Sequence, residues 1–461
     1  MKLSPRNRML IRLISLWVLL AHALGLSGSS PVARAQTETS TSSLDLVLLI
    51  DSSTSMLDSD RAGLRVDAAV FLLEFIQEVA GVQGLSVRFA AANFGGESVT
   101  DAVALRPLQG DAAQNAIRLR ADSESTLFAP ALNFAIDQLQ DTGDSQKVVI
   151  LFTDGLPEGE AVTQAGAYFT TEMSPRLDSL QQSGAQVFVV ALRNDKTVQV
   201  EDLWIQAISA ARYRVIDQNT DLVGAFRDLF AGILGLRPGE AQTAAPGASQ
   251  TIKLEPYLEQ AVISVFKSGP SVSLRLIDPN QTEIPPTRRT DQHEIFALTA
   301  PQGGEWKLGA TGGAATIWVD RRLPTLTLEG PTEPQALGQP LTFTGRLLRL
   351  NQSISKSSLE LSLSIAGPEN QLFPALVMDR FADRYSAEFT GALAEGVYTV
   401  TLSARSGGEP VLAESSALTV GVFLVPSIRG FEIAGDTVVG QTICVCISNF
   451  NGHEASQRII G

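Results

Sequence analysis

Apolar runs of strand length alternate with helical spacing along the first half of the chain, and the alternation stops near residue 236. Leu46 to Ile50 is a continuous apolar run. Between Arg61 and Ala80, Val66, Ala69, Val70, Leu73 and Ile76 recur at three- and four-residue intervals, the signature of one helix face. Val87, Phe89 and Ala91 alternate as a strand does. Leu132, Ala135, Ile136 and Leu139 return to the helical period, and Val148 to Phe152 and Val187 to Leu192 are further apolar strands. Leu203 to Ala211 predicts a helix, Tyr213 to Ile216 a short strand, and Leu222, Ala225, Phe226, Leu229 and Ile233 a closing helix. Apolar strands separated by helices predict a mostly parallel sheet covered on both faces: a doubly wound, Rossmann-like α/β domain over residues 43–236.

Beyond it the helical period is lost. Residues 237–249 carry Pro238, Gly239, Pro246 and Gly247 among small polar residues and read as a linker. Residues 250–321 contain short strand-like runs, such as Ala261 to Phe266 and Val272 to Ile277, followed by a turn at Asp278-Pro279-Asn280. Residues 322–421 repeat the style with Leu341 to Thr344, Leu359 to Ile365 and Val397 to Ser403. Two all-β, immunoglobulin-like sandwich domains are expected there, a β-rich domain over 250–321 and an immunoglobulin-like β-sandwich over 322–421. Residues 422–461 form a weakly patterned C-terminal tail. A length of 461 residues suits such a multidomain chain.

The N-terminus changes where the protein is expected to work. Lys2, Arg6, Arg8 and Arg12 precede a mostly apolar run from Ile14 to Leu26, and Ala33-Arg34-Ala35 offers a cleavage site. Residues 1–35 therefore read as a signal peptide and 36–42 as a spacer. The run is shorter than the ~20 apolar residues a spanning helix needs, so no integral membrane segment is expected after cleavage. A secreted, cell-surface or periplasmic location follows. Without residues 1–35, which hold five basic and no acidic groups, 30 basic and 49 acidic groups remain, a net charge of −19. That acidity argues against nucleic acid as a partner. Only two cysteines occur, Cys444 and Cys446, so no disulfide framework holds the chain; two small buried strand residues are expected there.

The chemistry lies at strand ends. The first apolar strand runs into Asp51-Ser52-Ser53-Thr54-Ser55-Met56, a DxSxS sequence, and a later one into Thr153-Asp154-Gly155. Thr126 stands just before a helix between them. Ligands of open parallel sheets bind beyond the carboxyl ends of the strands, where strand order switches. Loops there could gather the carboxylates of Asp51 and Asp154 and the hydroxyls of Ser53, Ser55 and Thr126. All five are hard oxygen donors, which suits Mg²⁺, Mn²⁺ or Ca²⁺ and disfavours Zn²⁺. Asp58 and Asp60, with Ser59 between them, read as acidic residues at a helix start, and Glu158 and Glu160 as a solvated rim.

The DxSxSM sequence, the spaced Thr126 and the strand-ending TDG resemble the metal-ion-dependent adhesion site of von Willebrand factor type A domains, over about residues 43–236. The resemblance implies that Ser53, Ser55 and Thr126 coordinate the cation directly. It implies that Asp51 and Asp154 act directly, through water or by hydrogen bonds to the hydroxyls. An acidic side chain of a partner protein would supply the last ligand. Pro301-Gln302-Gly303-Gly304-Glu305-Trp306 resembles a stretch of the β-domains that follow A domains in many bacterial surface proteins, and Gly396-Val397-Tyr398-Thr399-Val400 a late strand of bacterial immunoglobulin-like modules; Trp306 and Tyr398 are expected to be core residues. The expected function is extracytoplasmic, metal-dependent protein binding or adhesion. The alternative is a docking or assembly subunit of a cell-envelope complex. A metal-dependent hydrolase is the weaker reading, because only His293 and His453 remain beyond the leader and neither HExxH nor GxSxG is present. Oligomeric state is not legible.

Overall fold

The computed structural model describes residues 43–60, 63–117, 122–123, 125–140, 142–155, 166–193, 195–216, 222–415, 417–424, 443–450 and 453–459. The first domain is built on six strands: β1 (Ser43–Asp51), β2 (Ser86–Phe94), β3 (Thr100–Pro107), β4 (Gln146–Thr153), β5 (Ala185–Leu192) and β6 (Tyr213–Ile216). Their spatial order is β3-β2-β1-β4-β5-β6, parallel except for β3. The sheet is thus mixed, as an α/β sheet with one antiparallel edge strand often is. The apolar pattern did not announce β3, because its residues are half-exposed or exposed and its register with β2 is interrupted.

Helices α1 (Met56–Ser59), α2 (Leu64–Gln83), α3 (Phe128–Leu139), α4 (Ser174–Gln182), α5 (Asp195–Ile208) and α6 (Leu222–Ile233) pack around the sheet. Alternation along β1 divides the core. Leu44, Leu46, Leu48 and Ile50 face α2 and α6 through Phe71, Leu72, Phe75, Phe226 and Phe230. Val47 and Leu49 face the opposite layer, with Phe128, Leu132, Leu177, Leu180 and Trp204. Each such large side chain contributes about 1.5–3 kcal/mol when taken out of water. The start of β1 is tied sideways, where buried Asp45 accepts two 2.7 Å hydrogen bonds from Arg88 of β2.

The rest of the described chain is largely antiparallel β structure. Strands β7 (Gln242–Ala244), β8 (Ser249–Leu254), β9 (Gln260–Lys267), β10 (Ser273–Ile277), β11 (Glu283–Ile284), β12 (Arg288–Arg289), β13 (His293–Thr299), β14 (Gly304–Thr311) and β15 (Ala315–Arg322) form two sheets, ordered β11-β10-β14-β8 and β12-β13-β9-β15-β7. One core joins both sheets, with Trp306 buried in it. β7 lies inside the stretch that reads as a linker, paired to β15. Two further sheets between residues 325 and 423 share another core. There Tyr398 is fully buried and its hydroxyl donates to the carbonyl of Ala394 at 3.0 Å, the backward bond of a tyrosine corner. Strand Ile443–Phe450 pairs with His453–Ile459, which places Cys444 and Cys446 on a strand as expected. Their burial, the leader at 1–35 and the spacer at 36–42 lie outside the described residues. Among the described residues no helix is long and apolar enough to cross a membrane.

The first domain rests on the outer face of the second. Phe71 of α2 meets the rings of Phe266 and His293, and buried Glu74 lies 2.6 Å from Nε2 of His293 and 3.5 Å from Arg288. From α6, buried Arg227 donates to Asp320 of β15 at 2.5 Å and stacks over Trp318. Both residues are buried, and burial pushes the Asp320 carboxyl up to about 6 despite the opposing Arg227 charge.

Candidate metal centre

Strand order makes the crevice. β1 sits between β2 and β4, and the chain turns to opposite sides of it, so the carboxyl ends of β1 and β4 open at the switch point. Ile50 is in register with Phe152, which sets Asp51 beside Thr153 at the same level. The Thr153 hydroxyl donates to Oδ2 of Asp51 at 2.6 Å, and the Ser53 amide donates to Oδ1 at 2.8 Å. Asp51 is fully buried, and that burial pushes its carboxyl up to about 6, against these hydrogen bonds and with the help of the nearby Asp154 charge.

The loop after Asp51 is clamped from two sides. The Ser52 amide and hydroxyl both donate to the carbonyl of Phe94, at 2.8 and 2.9 Å. The Thr54 amide donates to the carbonyl of Ser123, and the Ser123 amide to that of Ser52. Ser123 and Ser125 can approach this closely because Gly95 has no side chain: a Cβ there would lie 2.5 Å from Cβ of Ser123. Ser125 and Leu127 also hydrogen-bond to the Gly95 carbonyl, which delivers Thr126 to the crevice.

Four of the five residues singled out by sequence join one hydrogen-bonded set. The hydroxyls of Ser53 and Ser55 are 3.0 Å apart, and Ser55 donates to Oδ1 of Asp154 at 2.8 Å. Thr126, the fifth, packs against the backbone of Gly155, where a Cβ would stand 3.2 Å from its Oγ1. That oxygen is fully buried and has no hydrogen-bond partner among the described residues. An orphaned buried hydroxyl costs about 1–3 kcal/mol, so its place calls for a partner.

Three further residues, not among the five candidate ligands, hold the site together. Thr153 holds Asp51 and accepts from the Gly155 amide at 3.0 Å. The Ser59 hydroxyl donates to Oδ2 of Asp154. Asp60 is buried, not solvated. It accepts the amides of Leu64 and Arg65 at the start of α2 and pairs with the Arg65 guanidinium at 2.8 Å. Asp58 is exposed, and Glu158 and Glu160 lie outside the described residues. No cluster of three or more His, Cys, Asp or Glu that could hold a metal occurs among the described residues. Two carboxylates with three hydroxyls, one of them orphaned, have instead the hard-oxygen chemistry that suits a divalent cation such as Mg²⁺ or Ca²⁺.

The family model for the von Willebrand factor type A domain matches residues 45–228. These residues are a von Willebrand factor type A domain. Similar solved structures include a von Willebrand factor type A protein from Catenulispora acidiphila, at 14% identity over 83% of this chain and 67% of that one (TM-score 0.32). The pilus adhesin SpaC from Lactobacillus rhamnosus GG is similar at 14% identity over 86% of this chain and 56% of that one (TM-score 0.36). Proximal thread matrix protein 1 from the mussel byssus, solved with zinc in its MIDAS motif, is similar at 14% identity over 45% of this chain and 50% of that one (TM-score 0.32). This chain thus spans about half the length of the pilus and byssus proteins. No curated protein matches the sequence.

Proposed function

We propose that the chain is an extracytoplasmic, cation-dependent binding protein whose A domain captures an acidic side chain of a partner protein. The observation that carries this reading is the orphaned Oγ1 of Thr126, buried beside Gly155 at the end of the same crevice as the Ser53–Ser55–Asp154 chain. In this reading Ser53, Ser55 and Thr126 hold Mg²⁺, Mn²⁺ or Ca²⁺ through their oxygens, with Asp51 and Asp154 beside them. Asp51 orients the loop by accepting the Ser53 amide, and Asp154 accepts the Ser55 proton so that the Ser55 lone pair is left for the cation. A divalent cation bound mainly by neutral hydroxyls stays electrophilic and takes a carboxylate as a further ligand. The site binds and does not turn over. The same reading treats 43–236 as the binding domain, and 250–321 and 322–421 as β-domains that carry it.

The test uses the full chain, its Asp154→Ala variant, and a panel of peptides each with one central Glu, alongside their Gln counterparts. Mn²⁺ binding is measured by titration, and peptide retention in Mg²⁺ and in EDTA. The expected result is Mn²⁺ binding, with Glu peptides retained in Mg²⁺ only and by the unsubstituted chain only. Absence of Mn²⁺ binding, or retention that is the same in EDTA, overturns the proposal.

A further inference from the structure

We infer that Ser59, outside the five motif positions, is a positioning residue of this site, anchoring the second oxygen of Asp154 so that the first stays turned to Ser55. The inference rests on the proposed cation-binding reading and deepens it.

The geometry begins with α1. A residue four places on in a helix lies one turn above the first, on the same face. α1 therefore carries Ser59 above Ser55, with the Ser59 amide bonded to the Ser55 carbonyl at 3.2 Å and its hydroxyl 3.1 Å from the same oxygen. Both ends of this turn are fixed. Met56 is fully buried in the core, and Asp60 is tied to the start of α2. The turn cannot drift, and neither can the hydroxyl it presents to Asp154.

The two carboxylates are held alike. Asp51 receives the Ser53 amide on one oxygen and the Thr153 hydroxyl on the other. Asp154 receives the Ser55 hydroxyl on Oδ1 and the Ser59 hydroxyl on Oδ2. An anchored Asp154 keeps accepting the Ser55 proton, and a serine whose proton is drawn to a carboxylate offers a more electron-rich oxygen to a cation. With Ser59 removed, Oδ2 loses this hydrogen bond, and the orientation of the carboxylate toward Ser55 is less firmly set. The residues flanking Ser59 are Asp58 and Asp60, whose ionised carboxylates accept and cannot donate to Asp154, and Asp60 is engaged with Arg65 and the α2 amides.

The test is Mn²⁺ titration of the full chain by calorimetry and electron paramagnetic resonance, for the unsubstituted protein, Ser59→Ala and Ser59→Thr. Unfolding in EDTA is measured alongside. Ser59→Ala is expected to bind Mn²⁺ about tenfold more weakly, the lower end of what a charge-assisted hydrogen bond supplies. Ser59→Thr, which keeps the hydroxyl, is expected to return affinity to within about threefold of the original, a rescue that a purely structural role would not give. Equal affinity in Ser59→Ala, or a threonine variant as weak as the alanine one, overturns the inference while leaving the cation site standing. No Mn²⁺ binding by the unsubstituted chain overturns both.

Discussion

Thr126→Val separates the demands of folding from those of binding, because it moves them in opposite directions. Valine keeps the branched shape of threonine and replaces the hydroxyl with a methyl. That hydroxyl is fully buried and has no hydrogen-bond partner among the described residues. Its removal relieves a cost of about 1–3 kcal/mol. The new methyl faces the backbone of Gly155, where no side chain competes for the space. Thr126→Val is therefore expected to stabilise the protein in EDTA by about 1–2 kcal/mol. With a urea dependence of about 1–3 kcal/mol per molar, the midpoint rises by about 0.3–2 M. In Mg²⁺ the order changes. A ligand at a hundred times its dissociation constant adds about 2.7 kcal/mol, and a tenfold loss of affinity removes about 1.4 of that. The advantage of the variant should shrink to nearly nothing or reverse. The assay is urea unfolding of both proteins in EDTA and in saturating Mg²⁺. A variant that is less stable in EDTA by more than about 1 kcal/mol, or that gains as much from Mg²⁺ as the original, refutes the reasoning.

Gly155→Ala places a Cβ 3.2 Å from Oγ1 and 3.3 Å from Cγ2 of Thr126, and is expected to weaken Mn²⁺ binding several-fold while changing stability in EDTA by less than about 1 kcal/mol; unchanged affinity by titration counts against it. Glu74→Ala leaves His293 and Arg288 without their buried partner between the first two domains, and should cost about 2–3 kcal/mol by denaturant unfolding, less than a fully sealed pair because Arg288 is 17% exposed. A cost under about 0.5 kcal/mol would show that the interface does not depend on that cluster. The raised pKa of Asp320, about 6 against 3.8, means that the folded protein holds the proton more tightly. Its stabilising contribution is therefore full below about 4 and is lost as pH rises through 6. Relative to Asp320→Asn, the original protein should gain about 1 kcal/mol on going from pH 7 to pH 5, read by unfolding at each pH; a relative loss contradicts that assignment.

The parts of the fold that could be read in advance were those where burial writes a period into the chain. Leu46 to Ile50 and Val148 to Phe152 are buried on both faces, so every position is apolar and the strand declares itself. The closing helix α6 buries Phe226 and Phe230 on one face and shows the helical interval. β3 is the counterexample. Its residues are intermediate or exposed, its register is broken against β2, and it contributes little that sequence hydrophobicity can register. The contact of the first two domains was equally silent. Glu74, His293, Arg227 and Asp320 are polar residues whose burial depends on partners far away in sequence, so nothing local marks them as interior.

For the site the division is different. The five proposed oxygen donors stand where an apolar strand ends or a helix begins, and such junctions are visible in one dimension. What holds the donors was not visible. Thr153 reaches Asp51 only because β1 and β4 are aligned with Ile50 opposite Phe152, and a register shift of one residue would turn that hydroxyl to the other face. Ser59 reaches Asp154 only because one helical turn closes between Ser55 and Asp60. Gly95 matters only because Ser123 and Ser125 pass close against it. A chain with all five donors but alanine at 59 and 153 would match the motif equally well, yet each carboxylate would lose a hydrogen bond that holds it. The pattern DxSxS, Thr and TDG identifies the atoms that could meet a cation, whereas affinity should follow the hydrogen bonds that fix Asp51 and Asp154, which lie partly outside the pattern.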